Sequence, residues 1–234
     1  MGIQEAHKRW EKKILLLLHM QAEVRREISM KRITVKATYI EPILGTASGN
    51  QELHAEFIAS KAPDAKTREE EVAAIGVESE IEKSMTVFPR NKEGQPIVYD
   101  YQWKGFFKDT CGALQKMKDE ACAKESAKLK AYKKVIDGCI FVEPRMIPFD
   151  GWNGVMESCQ RPLRGQTAQG ERIALANSEM IHAGTSNTFD VIVPDQYEKL
   201  VYEWLNRGKY RGMLQWRNGG YGRFTYEILN VAEE

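Results

Sequence analysis

Cysteine, histidine, long apolar runs and an excess of either charge are all scarce in this chain of 234 residues. Its four cysteines, Cys111, Cys122, Cys139 and Cys159, form no Cys-x-x-Cys pair and have no histidine at zinc-ligand spacing. That excludes a metal knuckle and a disulfide framework and points to reduced thiols in the cytoplasm. The apolar run at 14–18 is far too short to span a bilayer and is flanked by Lys12, Lys13, Arg25 and Arg26, so no membrane partner is expected. No small-residue cleavage site follows the basic start before Glu23, so no secretory signal is read. Lys plus Arg number 34 against 33 Asp plus Glu, for a net charge of +1. A uniformly basic nucleic-acid binder is thereby excluded, and any polyanion site must come from charge segregated onto one face. Nothing in the residues calls for a cofactor or a metal.

What is present is a chain with 42% hydrophobic residues, enough for a substantial core. Acid gathers at 69–71 and 78–82, and base at 104–134, 161–172 and 199–223. The stretch 116–134 also fits a plain solvated helix face. Residues 3–29 read as an amphipathic helix with Trp10, Ile14, Leu17, Leu18, Gln21 and Val24 on one face, which needs a partner in this chain or in a second copy. Residues 33–39 alternate as a strand. Two helix-like pieces follow at 52–60 and 67–82, and the turn at 91–94 predicts a hairpin between 86–88 and 97–99. A helix is expected over 103–118, resuming to 134, then a strand at 138–142 that Pro144 ends. Residues 144–170 look like a long loop. A second hairpin is expected between 171–181 and 188–193 around the 182–185 turn. Pro194 opens a helix carrying Leu200, Val201, Trp204 and Leu205 on one face, and 223–229 alternates as a last strand.

Setting aside insertions at about 41–97 and 144–187, the order is strand, helix, strand, strand, helix, strand. This predicts an α+β fold with a ferredoxin-like (RRM-like) βαββαβ core and an antiparallel sheet over 31–234, after an N-terminal helical extension of residues 1–30.

The densest signal is Gly212-Met213-Leu214-Gln215-Trp216-Arg217-Asn218-Gly219-Gly220-Tyr221-Gly222-Arg223-Phe224. Glycines bring backbone N–H groups close to phosphate, arginines add planar donors, and Trp216 and Tyr221 offer faces for bases. A tight turn with Trp216 in the core fits the same run.

Three stretches carry a resemblance to a family. Tyr101-Gln102-Trp103-Lys104-Gly105-Phe106-Phe107-Lys108 is similar to the segment opening its first helix. Cys159-Gln160-Arg161-Pro162-Leu163-Arg164 with Gly170-Glu171-Arg172 resembles its basic segment before the central hairpin, and 212–224 is similar to its C-terminal glycine-rich loop. The family is the RAMP superfamily, whose ferredoxin-like members form the guide-RNA-binding backbone and RNA-processing subunits of CRISPR effector complexes. The chain also resembles small RAMP-like proteins carried by bacteriophages. The likeness covers roughly 31–234, with poor correspondence over 41–95.

The resemblance implies a partner of single-stranded RNA, or single-stranded DNA, gripped by its backbone, and self-association or membership of a CRISPR-like complex. Lys104, Lys108, Arg161, Arg164, Arg172, Arg217 and Arg223 would neutralise phosphates, and Trp216 and Tyr221, held among Gly219, Gly220 and Gly222, would stack bases. All are expected in one groove on an open sheet. Arg161, Arg164 and Arg172 could instead pair with Glu171, Glu179 or Asp190, whereas Arg217 and Arg223 have few acids nearby in sequence. Some relatives cut RNA without metal by a histidine base. Of His7, His19, His54 and His182, only the turn residue His182 is a candidate, and Asp100, Asp109 and Asp190 are too scattered for paired-acid chemistry. A non-catalytic binder is therefore the preferred expectation. A metal-independent endoribonuclease and a phage-encoded structural or interference protein are the alternatives.

Overall fold

The structure, a computed structural model, describes residues 29–48, 85–117, 123–167 and 170–234, apart from the side chains of 162–175. The helices expected at 3–29, 52–60 and 67–82 lie outside these residues. In chain order the elements are β1 (Met30–Tyr39), β2 (Ile43–Leu44), β3 (Ala47–Ser48), β4 (Thr86–Val87), β5 (Ile97–Tyr99), α1 (Asp100–Met117), α2 (Tyr132–Cys139), β6 (Phe141–Glu143), β7 (Met146–Pro148), β8 (Glu157–Thr167), β9 (Gly170–Ile181), β10 (Ser186–Pro194), α3 (Glu198–Asn206) and β11 (Phe224–Glu233). The fold is mixed α and β with sheets that are antiparallel apart from one parallel contact, Thr86 of β4 with Ser178 of β9.

The alternation in β1 buries Ile33, Val35, Ala37 and Tyr39 and leaves Thr34, Lys36 and Thr38 on the other face. β1 lies inside a four-stranded sheet of order β11-β1-β10-β6, antiparallel throughout. These strands enter the sheet as β1, β6, β10 and β11, with α1 and α2 before the second and α3 before the fourth. Both α1 and α3 cover the face that carries Ile33 and Val35. Trp103 of α1 lies 4.1 Å from Phe189 of β10 and 5.2 Å from Phe224 of β11, measured between ring centroids, and Phe107 meets Trp204 of α3 at 5.5 Å. Such offset and edge-on rings add to an already large apolar burial. The Glu203 carboxylate of α3 accepts from the Glu125 and Ser126 amides and the Ser126 hydroxyl, which ties the chain between α1 and α2 to α3.

The second sheet has the order β2-β9-β4-β3, with β8 on β9, and it overturns several expectations. Residues 144–170 are not a loop, because β7 pairs with β5 and β8 pairs with β9 from Glu157↔Met180 to Thr167↔Gly170. Pro162 lies within β8, which among the described residues has a partner on one side only, the kind of edge strand in which a proline is tolerated. The 171–181 and 188–193 segments form no hairpin. The 182–185 turn is stitched to β1 by Tyr39 N–H to Thr185 O and Gly184 N–H to Tyr39 O, and this hands the chain from one sheet to the other. The 86–88 and 97–99 segments also part. Asn91 closes the turn through its Oδ1, and Arg90 bridges Pro96, but β4 goes to β3 and β9 while β5 goes to β7. Pro89 has no N–H with which to extend a ladder there. α2 runs to Cys139, so the strand expected at 138–142 begins only at Phe141, and the last strand continues to Glu233 rather than ending at 229.

Among the described residues no helix is long and apolar enough to cross a membrane. Since Trp103 joins α1 to two strands, Trp103→Ala is expected to destabilise the protein by about 3–5 kcal/mol in urea unfolding. A loss below about 1 kcal/mol would contradict this packing.

Candidate nucleic-acid interface

The glycine-rich run is folded against its own backbone. Met213 donates its amide to Gly222 O, and Gly222 donates to Pro42 O. Where the two arms cross, a Cβ on Gly212 would sit 1.8 Å from Tyr221 O, and Gly222 has a φ of +68°. The glycines are thus required for close backbone approach and for left-handed geometry. The Gly219 and Gly220 amides donate to Trp216 O and Arg217 O. This corrects the expectation that these amides approach phosphate: the N–H groups of Gly219, Gly220 and Gly222 already have partners inside the loop or on Pro42.

The crossing presents the aromatic pair. Trp216 and Tyr221 stack with centroids 4.9 Å apart and planes 16° apart, and the Arg161 guanidinium lies 5.0 Å from the Trp216 ring centre. Trp216 is 42% exposed, so the pair is not in the core, but stacking on each other leaves at most one outer face per ring. Cys159 beside the Tyr221 hydroxyl, together with burial, raises that phenol above its ordinary pKa. Arg161 is only 6% exposed. Its Nη2 donates to Gln215 Oε1 at 2.7 Å, and Gln215 also accepts from Ser178 and Thr86. Of the three carboxylates proposed to pair with it, Glu179 holds Arg90 and Asp190 holds Arg32, and the Glu171 side chain lies outside the described ones. Arg164 and Arg172 stand opposite Ile173 and Gly165 in the β8–β9 register, placed here by backbone alone.

Arg217 and Arg223 depart from expectation, because each has an acid. Arg223 pairs with Glu41 at 2.6 Å, an ion pair across 182 positions. Arg217 pairs with Asp109 of α1 at 3.2 Å. The same carboxylate accepts from Arg211 Nε at 2.8 Å and Nη2 at 3.4 Å, and Arg207 adds its charge nearby. Arg207 and Arg211 are set one turn apart because the Tyr210 and Arg211 amides both donate to Arg207 O. Burial alone would raise the Asp109 pKa, but the Arg211 hydrogen bond and the charges of Arg217, Arg211 and Arg207 outweigh it and hold the carboxyl below its usual range. Three guanidiniums around one carboxylate leave a surplus of positive charge.

That surplus continues along α1. A hollow of about 700 Å³ beside Asp109 is lined by Lys108, Lys116, Lys133, Arg207 and Arg211. Lys108 also meets Asp137. Lys104 falls outside this hollow: it rests 5.3 Å over Phe141 and donates to Asp137 O, and burial lowers its pKa. The expected cations therefore do not form one groove on an open sheet. The sheet face opposite the helices carries Arg32, which meets Glu143, Asp190 and Glu234, and its charge is spent on those three acids. The two central strands present no aromatic ring on that face, where Thr34, Lys36, Thr38, Thr188, Asp190 and Ile192 stand beside Arg32 and Ser186, with Met30 and Pro194 at its end.

Sequence reading missed Asp109, Arg207, Arg211 and Gln215. A usable signal was the i, i+4 pair Arg207 and Arg211 just past α3, together with the non-core stripe Gly105, Asp109, Gly112 and Lys116 on α1. His182 makes one ring contact among the described residues, Nδ1 with Ala183 O at 2.8 Å. Among the same residues no three His, Cys, Asp or Glu come together in a way that would hold a metal ion.

No family model matches the chain, and no curated protein matches it. Among solved structures it is similar to a chain in the cryo-EM structure of the Type III-B Cmr-beta bound to cognate target RNA, with a TM-score of 0.46 and 10% identity. The likeness covers 94% of this chain and 66% of that one, so the present chain spans just under two thirds of its length.

Two outcomes follow. Gly212→Ala places a methyl group inside the backbone crossing and is expected to cost about 2–4 kcal/mol in urea unfolding, against a few tenths for an unhindered glycine. A depressed carboxyl contributes stability above its unfolded pKa and loses it as pH falls through the folded value. Asp109→Asn should therefore remove on the order of 1 kcal/mol at neutral pH and flatten the acid limb of the stability curve below about pH 4; an unchanged acid limb would show that Asp109 is not the anchor.

Proposed function

We propose that this chain is a non-catalytic, single-stranded nucleic-acid binding protein, with RNA its partner ahead of DNA, built on a ferredoxin-like core of RAMP type. The order of elements in the four-stranded sheet supports the ferredoxin-like reading. The observation that carries the function is the gathering of Arg207, Arg211 and Arg217 on the single carboxylate of Asp109, continued by Lys108, Lys116 and Lys133 along α1. In an almost neutral protein such a surplus is a polyanion path. The Trp216–Tyr221 stack lies next to Arg217 in the chain, and with Arg161 over Trp216 it is the outer face of Tyr221 that is offered to a base at one end of that path. The strand thus runs along the helix side of the protein, over α1 and the crossed loop. The open sheet face, where Arg32 is held by three acids, takes no part. Cytoplasmic location and assembly with further copies, or within a CRISPR-like ribonucleoprotein, belong to the same proposal.

The test is the salt dependence of binding to a labelled single-stranded RNA without sequence preference. Each phosphate contact on a single strand contributes a slope of about −0.7 in log K against log[salt], so Arg207→Ala with Arg211→Ala should reduce the slope by about 1.4. A double variant that keeps the wild-type affinity and slope removes the cluster from the binding path. Shortening of the RNA by the wild-type protein without added metal would replace the non-catalytic reading with the endoribonuclease one.

A further inference from the structure

The other side of Asp109 opens into a second hollow, of about 600 Å³. It is lined mainly by apolar groups, among them Pro89, Tyr101, Phe106, Met213 and Leu214, and it ends at the Asp109–Arg217 pair. Its size and lining are those of a small-molecule site. Gly105, in the middle of α1, forms part of the wall, and a Cβ there would meet nothing within 4 Å. Glycine weakens a helix interior relative to alanine. No close backbone approach and no positive φ explains it at this position, in contrast to Gly212 and Gly222. Among the described residues a side chain at 105 would meet open space on the side where Gly105 lines the hollow.

We infer that this hollow holds one nucleotide, with the base against Tyr101, Met213 and Leu214 over the bare backbone of Gly105 and the phosphate on Arg217 and Arg211 beyond Asp109. The inference rests on the strand-binding reading for its choice of ligand and deepens it, since it adds a pocket for a single base beside a path that grips the backbone. Charge complementarity selects the occupant. An apolar slot that opens onto surplus guanidinium charge fits a flat ring joined to an anion, and neither a neutral lipid chain nor a bare phosphate uses both ends. The nucleotide has two sources, a free nucleoside monophosphate or one unit of a bound strand, and both present the same chemistry.

The experiment is calorimetric titration of the full chain with AMP, UMP and ribose 5-phosphate, in parallel with binding of a ten-nucleotide uridine oligomer, for the wild type, Gly105→Ala and Gly105→Leu. Gly105→Leu fills the hollow and is expected to leave the melting temperature unchanged or higher, while Gly105→Ala leaves room for the base. Binding of AMP and UMP about tenfold tighter than ribose 5-phosphate, weakened about tenfold by Gly105→Leu and little by Gly105→Ala, supports a pocket open to free nucleotides, on the scale of one stacked base. Undetectable mononucleotide binding with an oligomer affinity that falls about tenfold only in Gly105→Leu supports the same pocket filled from a strand. Equal binding of ribose 5-phosphate and AMP overturns the proposal, as does an oligomer affinity untouched by Gly105→Leu when no mononucleotide binds. In that last case the strand-binding reading stands. A wild-type protein that binds AMP but no oligomer keeps the pocket and sinks the strand path instead.

Discussion

Asp109 is the point on which the charge distribution of this protein turns. It sits on the non-core side of α1, and its carboxylate draws in Arg211 and Arg217 directly and Arg207 through its field. Without a carboxylate at that place, three guanidiniums would repel one another across a half-buried surface. With it they converge and still leave positive charge unspent. The position of the carboxylate is fixed by core packing on the opposite side of the same helix, where Trp103, Phe106 and Phe107 meet Phe189, Phe224 and Trp204. Aromatic burial under α1 and ion pairing above it are two faces of one arrangement.

The crossed loop is the second half of that arrangement. Gly212 and Gly222 let its two arms pass at backbone contact distance, which sets Arg217 toward α1 and Trp216 against Tyr221. The glycines thus act through the geometry of the side chains they position, while their amides close the loop.

How much of this could be read in advance depended on the range of the interactions. β1, α1 and α3 were legible because their periods are local: Ile33, Val35, Ala37 and Tyr39 at period two, and Leu200, Val201, Trp204 and Leu205 on one helical face. β8 was not, since Pro162 and Gly165 read as loop punctuation and only the pairing with β9 makes the segment a strand. The apparent hairpin of β9 with β10 failed because the turn between them is held by Tyr39, far away in sequence. The same holds for the site. Trp216, Tyr221 and Arg217 announced themselves in one short run, whereas the carboxylate that organises the arginines lies 102 positions from Arg211 and looked like one scattered acid among several.

The central claim is that single-stranded nucleic acid meets the arginines gathered on Asp109, on the helix side, and leaves the open sheet face with its paired Arg32 alone. The most direct measurement is to titrate a short single-stranded RNA into protein labelled with ¹⁵N at arginine and follow the guanidinium Nε–H signals residue by residue. The account predicts that Arg207, Arg211 and Arg217 shift together and saturably while Arg32 stays in place. Shifts at Arg32 with none at those three would contradict it.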